Sequence, residues 1–323
     1  MKIIDYLKRI FNHKTNQQLL NAPKTRYEEL VDSIDFLELS KIFINGITPD
    51  VTKTIPRYGS NPYEYPLQTK ITTDHTIEII QEFFESIDEN MLKRVSEVID
   101  GKNPEIKLNA EKYNGKGAEV SNPNQKPIII YVPIRGDIRQ LYEAVHEFTH
   151  IMDIDNGDTE TRRVLGEVAP QCMERMLDDF LLGMSDSEMK KYRFDRNTIE
   201  TDIKDRRIGT FISRYHDVEK INNGKDIEKH SRYMLAQIYS THFNNLDKGE
   251  KKSRLVSFIE SVKNDDFYKA NSCFGLSMNK NQKLQRELYV KNTISEVSNL
   301  IAPKNRSGIS KQKSIDLSRD DIS

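Results

Sequence analysis

Apolar residues recur at helical spacing over most of the chain. From Met1 to Phe11 they are interrupted by Asp5, Lys8 and Arg9, which reads as an amphipathic first helix and not an export signal. Ile77, Ile79, Ile80, Phe83 and Phe84 repeat in the same way, after a Pro-, Gly- and Tyr-rich interruption from Pro56 to Pro66. Residues 1–104 therefore read as a helical N-terminal lobe with one long loop. Between Glu105 and Asp137 the period changes. Short apolar runs are bounded by Asn-Gly, Gly-Lys-Gly and Asn-Pro turns, and Pro127-Ile-Ile-Ile-Tyr-Val-Pro133 predicts a strand, either a core strand or an edge able to pair with an extended peptide. Helical spacing returns from Asp137 to Ala302, with breaks at Asn156-Gly157, Gly183, Asn222 to Gly224 and Lys248-Gly249. Residues 303–323 are rich in Ser, Lys, Asp and Arg and predict a disordered tail, because so little apolar surface cannot offset the entropy of ordering. The expected fold is mainly α with one small β-sheet, and residues 105–302 form its second region.

Composition narrows the functional classes. The 323 residues carry 49 Lys+Arg against 50 Asp+Glu, a balance that gives no reason to expect a nucleic-acid partner. No stretch reaches the roughly 20 apolar residues of a membrane span. Cys172 and Cys273 are the only cysteines, too few for a disulfide framework and without the paired spacing of a thiolate zinc site, so a cytoplasmic setting is expected.

The residues with the most chemical content are His146-Glu147-Phe148-Thr149-His150. Asp137 opens a capping-box-like start, and Ile138, Leu141, Tyr142, Val145, Phe148 and Met152 then follow at helical spacing, so the motif lies on an amphipathic helix. Two histidines four apart project from one face and can bring two imidazole nitrogens to one ion. Glu147, offset between them, can reach a water on that ion.

A catalytic zinc needs a third protein ligand and an open position. The metzincin pattern requires Gly and His three and six residues after His150, where this chain has Asp153 and Asn156, so that class is excluded. The next helix is expected from about Thr159 to Leu182, with Pro170 kinking it next to Glu167. Glu167 and Glu174 lie seven apart on one face of it, so the first can bind metal while the second orients a ligand imidazole. Asp153, Asp155 and Asp158 are competing oxygen ligands.

Tyr142 to Asp153, followed by Gly166-Glu-Val-Ala-Pro-Gln-Cys-Met-Glu174, resembles the thimet oligopeptidase and oligoendopeptidase F family of zinc metallopeptidases. The resemblance implies a zincin-like fold of the gluzincin type, with the active site between two helices. It also implies one zinc ion held by His146, His150 and Glu167, with Glu174 behind them. Further on, the family has a histidine and tyrosines on a late helix that bind the transition-state oxyanion, which His230-Ser-Arg-Tyr233 resembles; Tyr239 and His242 are further candidates there. The chain departs from the family in Thr149, where Gly is usual, in Asp153, where many members have a further His, and in a short interval between His150 and Glu167.

The expected activity is hydrolysis of peptide bonds by a zinc-activated water, with Glu147 as general base and His230 and Tyr233 stabilising the oxyanion. The partner is a peptide or protein substrate. Two alternatives stand beside it: a non-catalytic zinc-containing peptide-binding protein, and a protease specific for one protein partner in the manner of an effector or toxin.

Overall fold

The computed structural model describes residues 25–58, 65–122, 124–154 and 157–302. The expected first helix from Met1 to Phe11, the expected tail at 303–323, part of the Pro56 to Pro66 loop and the candidate ligand Asp155 lie outside them.

The described chain is mainly helical with one small sheet. It opens with α1 (Arg26–Ile34), α2 (Phe36–Gly46) and α3 (Pro49–Thr54), followed by a 3-10 turn, and then α4 (Thr73–Ile87) and α5 (Glu89–Ile99). Strands β1 (Ile106–Lys112), β2 (Glu119–Val120) and β3 (Ile128–Ile134) precede α6 (Arg139–His150). Eight helices follow: α7 (Glu160–Leu165), α8 (Val168–Gly183), α9 (Asp186–Tyr192), α10 (Arg196–Asn222), α11 (Ile227–Asn244), α12 (Lys248–Lys263), α13 (Phe267–Cys273) and α14 (Lys283–Ile301). Among the described residues, no helix is long and apolar enough to cross a membrane.

The strand foreseen at Pro127 to Pro133 is the middle one of three, β3. It runs parallel to β1, with Ile128 opposite Ile106, and antiparallel to the two-residue β2. It is therefore a core strand, with Ile128, Ile130 and Val132 buried. Tyr131 is buried as well, while Ile129 on the same face as Tyr131 is exposed, so the apolar run is covered along most but not all of its length.

A tight turn delivers β3 into α6. Gly136 has φ 75°, a conformation open to glycine at little cost, and Gln140 Oε1 accepts hydrogen bonds from the Arg135 and Gly136 amides at 3.0 and 2.8 Å. Asp137 does serve the helix start, accepting from the Arg139 amide at 3.0 Å, but the side chain that closes the turn is Gln140. The Gln140 amide group also donates to Thr76 on α4 at 2.6 Å. Arg135 adds a two-pronged pair to Glu143 and lies 3.7 Å over the Tyr113 ring, so strand end and helix are fixed to each other.

The α6 helix is almost wholly internal, with Leu141, Ala144, Val145 and Phe148 buried between β3, α4 and α8. They belong to one continuous core whose members run from Leu30 to Val297. Full burial of a Leu, Val or Phe side chain contributes about 1.5–3 kcal/mol, so apolar packing adds to the polar contacts that hold the histidine-bearing helix.

The single kinked helix expected from Thr159 to Leu182 is instead two. Helix α7 stops at Leu165 and α8 starts at Val168, with Gly166 and Glu167 forming the joint. A Cβ on Gly166 would lie 2.6 Å from the Arg162 carbonyl oxygen, so only glycine fits there. Pro170 falls in the first turn of α8, where a missing N–H leaves no hydrogen bond unmade. The proline begins a helix instead of bending one, and Glu167 sits at the joint.

Candidate metal centre

The joint between α7 and α8 brings Glu167 onto the two histidines of α6. Glu167 Oε2 lies 3.3 Å from His146 Nε2 and 3.8 Å from His150 Nε2, and the three donor atoms are within 4.8 Å of one another. Zinc ligands at about 2.0–2.1 Å in tetrahedral array sit about 3.3 Å apart, so little adjustment separates this arrangement from a ligand set. Glu167 Oε2 is also buried with no hydrogen-bond partner, an arrangement that costs free energy unless something else satisfies the oxygen. Two imidazole nitrogens and one carboxylate oxygen at one point fit a metal ion, and among the described residues His146, His150 and Glu167 are the group that could hold one.

The charge balance agrees with the geometry. Burial favours the neutral form of both histidines. It holds His150 down at about 3, whereas the Glu167 and Glu174 carboxylates beside His146 outweigh it there and raise that ring well above the ordinary histidine value. Burial also acts against ionised Glu167, but His150 and His146 beside it hold the carboxyl below the usual range.

Behind the triad is a second layer. His146 Nδ1 is 2.7 Å from Glu174 Oε1, which directs Nε2 towards Glu167 and His150. Glu174 Oε2 accepts from Arg206 Nη1 at 2.5 Å, and Arg206 Nη2 continues to the fully buried Asp178 at 3.0 and 3.2 Å. Asp178 also accepts from Tyr142 at 2.6 Å and from Arg207 at 2.7 Å. Breaking such a buried network by removing one partner costs about 3–5 kcal/mol, because the remaining charges stay desolvated.

Glu147 is buried beside the triad. Burial pushes its carboxyl up to about 8; His146 pulls against this, while Glu167, Glu143 and Glu119 on β2 add to it. A carboxyl poised near neutrality is suited to take up and return a proton.

Of the rival aspartates, the two within the described residues pair with Arg162. Buried Asp153 accepts from Arg162 Nε at 3.0 Å, and the partly exposed Asp158 lies 3.5 Å from Arg162 Nη1.

The late helix α11 divides its candidates. Tyr233 feels the Glu167 charge, which together with burial raises its hydroxyl to about 12, so it stays a protonated donor; the Arg214 guanidinium lies 4.1 Å over its ring. His230 is buried with Nδ1 2.7 Å from Asp217 Oδ1, and its Nε2 makes no hydrogen bond to a described residue. Tyr239 and His242 are engaged with other residues: the first bonds to Asn271, and His242 Nε2 is 2.9 Å from the Phe274 carbonyl.

Sequence reasoning missed Arg206, Asp178 and Asp217. Asp178 left a trace, since it lies four residues after Glu174 on a helix whose other side is apolar; nothing local ties Arg206 or Asp217 to the motif. A cavity of about 610 Å³ lies elsewhere, between α5, β1 and α12.

No family model matches the sequence, and no curated protein does. Among solved structures, the chain is similar to the crystal structure of a "putative peptidase" from Chlamydophila abortus, with 17% identity and a TM-score of 0.45 over 87% of this chain. The match covers 56% of that protein, so the chain spans little more than half its length.

Proposed function

We propose that this protein is a zinc-dependent metallopeptidase that hydrolyses peptide bonds, with His146, His150 and Glu167 as the metal ligands. The observation that carries the reading is the convergence of those three donors on one point, with a buried Glu167 oxygen that has no other partner. Glu147 beside them favours hydrolysis over a purely structural metal, which needs no base.

When bound, zinc would supply a Lewis acid that acidifies a water and polarises the scissile carbonyl. Glu147 takes the proton of the attacking water and delivers a proton to the leaving amine. Tyr233 and His230 donate hydrogen bonds to the developing oxyanion, each worth about 3 kcal/mol in the transition state. Glu174 fixes the His146 ring so that Nε2 faces the metal. In this reading residues 105–302 carry the chemistry, and the N-terminal lobe 1–104 supports it through contacts such as Thr76 with Gln140. The motif, the joint after Leu165 and the late His-Tyr helix together support a zincin-like, gluzincin-type enzyme of the oligopeptidase kind, and the free Cys172 and Cys273 suit a cytoplasmic setting.

Metal analysis of the purified chain, with peptide cleavage by wild type and Glu147→Gln, tests this. We expect one zinc per chain in both proteins and a fall in turnover of about 10²–10⁴-fold in the variant. A chain without stoichiometric zinc, or a variant that cleaves as fast as wild type, rejects the reading.

A further inference from the structure

The carboxylate that steadies His146 is itself in need of support. Glu174 has two oxygens: Oε1 meets His146 Nδ1, and Oε2 would be left in a buried setting but for Arg206. Arg206 enters from α10, which carries none of the proposed ligands.

Its surroundings fix it on three sides. Tyr142 and His146 are one turn apart on α6, and Asp178 and Glu174 are one turn apart on α8. The two pairs meet in antiparallel register, with Tyr142 on Asp178 and His146 on Glu174. Arg206 closes both rungs at once. Nη1 donates to Glu174, Nη2 donates to Asp178, and the guanidinium plane lies 3.8 Å over the Tyr142 ring. A planar fork with two usable nitrogens can span two carboxylates, whereas an ammonium group offers one point of charge.

From this geometry we infer that Arg206 is a positioning residue for the metal centre, holding Glu174 in the orientation that aims His146 Nε2 at Glu167 and His150. The inference rests on the metal-binding reading above. It makes zinc affinity depend on a side chain that touches neither metal nor substrate.

The test is a competition titration of zinc against a chromophoric chelator, run on the full chain as wild type, Glu174→Gln, Arg206→Met, Arg206→Lys and Glu174→Gln/Arg206→Met. Loss of a partner behind a metal ligand weakens binding about 10–100-fold, and Arg206→Met is expected to fall in that range, with Arg206→Lys between it and wild type. In the Glu174→Gln background, the Arg206 substitution should change affinity by no more than about twofold, because its effect passes through Glu174. Where Arg206→Met does not fold, the same cycle built on Arg206→Lys decides the matter. Wild-type affinity in both Arg206 variants, or an undiminished loss in the Glu174→Gln background, overturns the inference and leaves the metal reading standing. A wild-type chain that takes up no zinc overturns both.

Discussion

The molecule contains the same four-residue arrangement twice. At the candidate metal centre, His146 meets Glu174 at 2.7 Å, Glu174 meets Arg206 at 2.5 Å, and Arg206 lies over Tyr142. On α10 and α11, His230 meets Asp217 at 2.7 Å, Asp217 meets Arg214 at 2.8 Å, and Arg214 lies over Tyr233. In each unit an arginine neutralises the carboxylate, the carboxylate fixes the Nδ1 side of the imidazole, and Nε2 is left for other work. The difference lies in what Nε2 meets. His146 Nε2 faces a carboxylate and a second imidazole, whereas His230 Nε2 meets no described partner. A fixed imidazole is therefore common to both units, and only the convergence of further donors makes a ligand set; the second unit is equipped to donate a hydrogen bond to something that arrives.

The largest expected effect separates the two histidines. His146→Ala should lose stoichiometric zinc and with it all cleavage, while His230→Ala keeps its zinc; equal metal contents would erase the distinction. Next, His230→Ala and Tyr233→Phe should each lower kcat by about 10²–10³-fold with KM little changed, the pattern of groups that bind the transition state. Steady-state kinetics on a short peptide provide the measurement, and a change confined to KM would reassign these residues to substrate binding. A smaller contrast concerns the third ligand: Glu167→Ala should lower zinc content sharply, whereas Asp153→Ala should leave it intact and reduce stability, since Arg162 loses its buried partner. The reverse result in metal analysis would move the ligand. The smallest effect is expected at the joint that delivers Glu167: Gly166→Ala should destabilise the fold by about 1–3 kcal/mol through its clash with the Arg162 carbonyl, seen as a lower thermal midpoint.

Much of the arrangement was legible in the chain. The change from helical spacing to short apolar runs between turns marks the sheet between two helical regions, and the strand read at Pro127 to Pro133 matches β3 to within a residue. His146 and His150 share a face because 3.6 residues make a turn, and this needs no tertiary information. The sequence predicts a kink where the structure has a break between α7 and α8, because a proline in a long apolar period does not reveal whether it bends a helix or begins one. The choice between Glu167 and the aspartates was left open by spacing alone, since several oxygens lie within reach of His150 along the chain; packing separates them, giving Asp153 to Arg162 and Glu167 to the histidines.

What the sequence determined by itself is local: the helical motif, its amphipathic setting, the strand that leads into it and the absence of paired cysteines. Periodicity and turn chemistry act over a few residues and need no partner to be read. What tertiary structure decided is every contact made across the chain: β3 in the middle of its sheet, Glu167 on the histidines, and Arg206 spanning Glu174 and Asp178 from a helix 32 and 28 residues away. These depend on which buried charges face one another once the core has closed, and desolvation makes that pairing obligatory only in the folded protein.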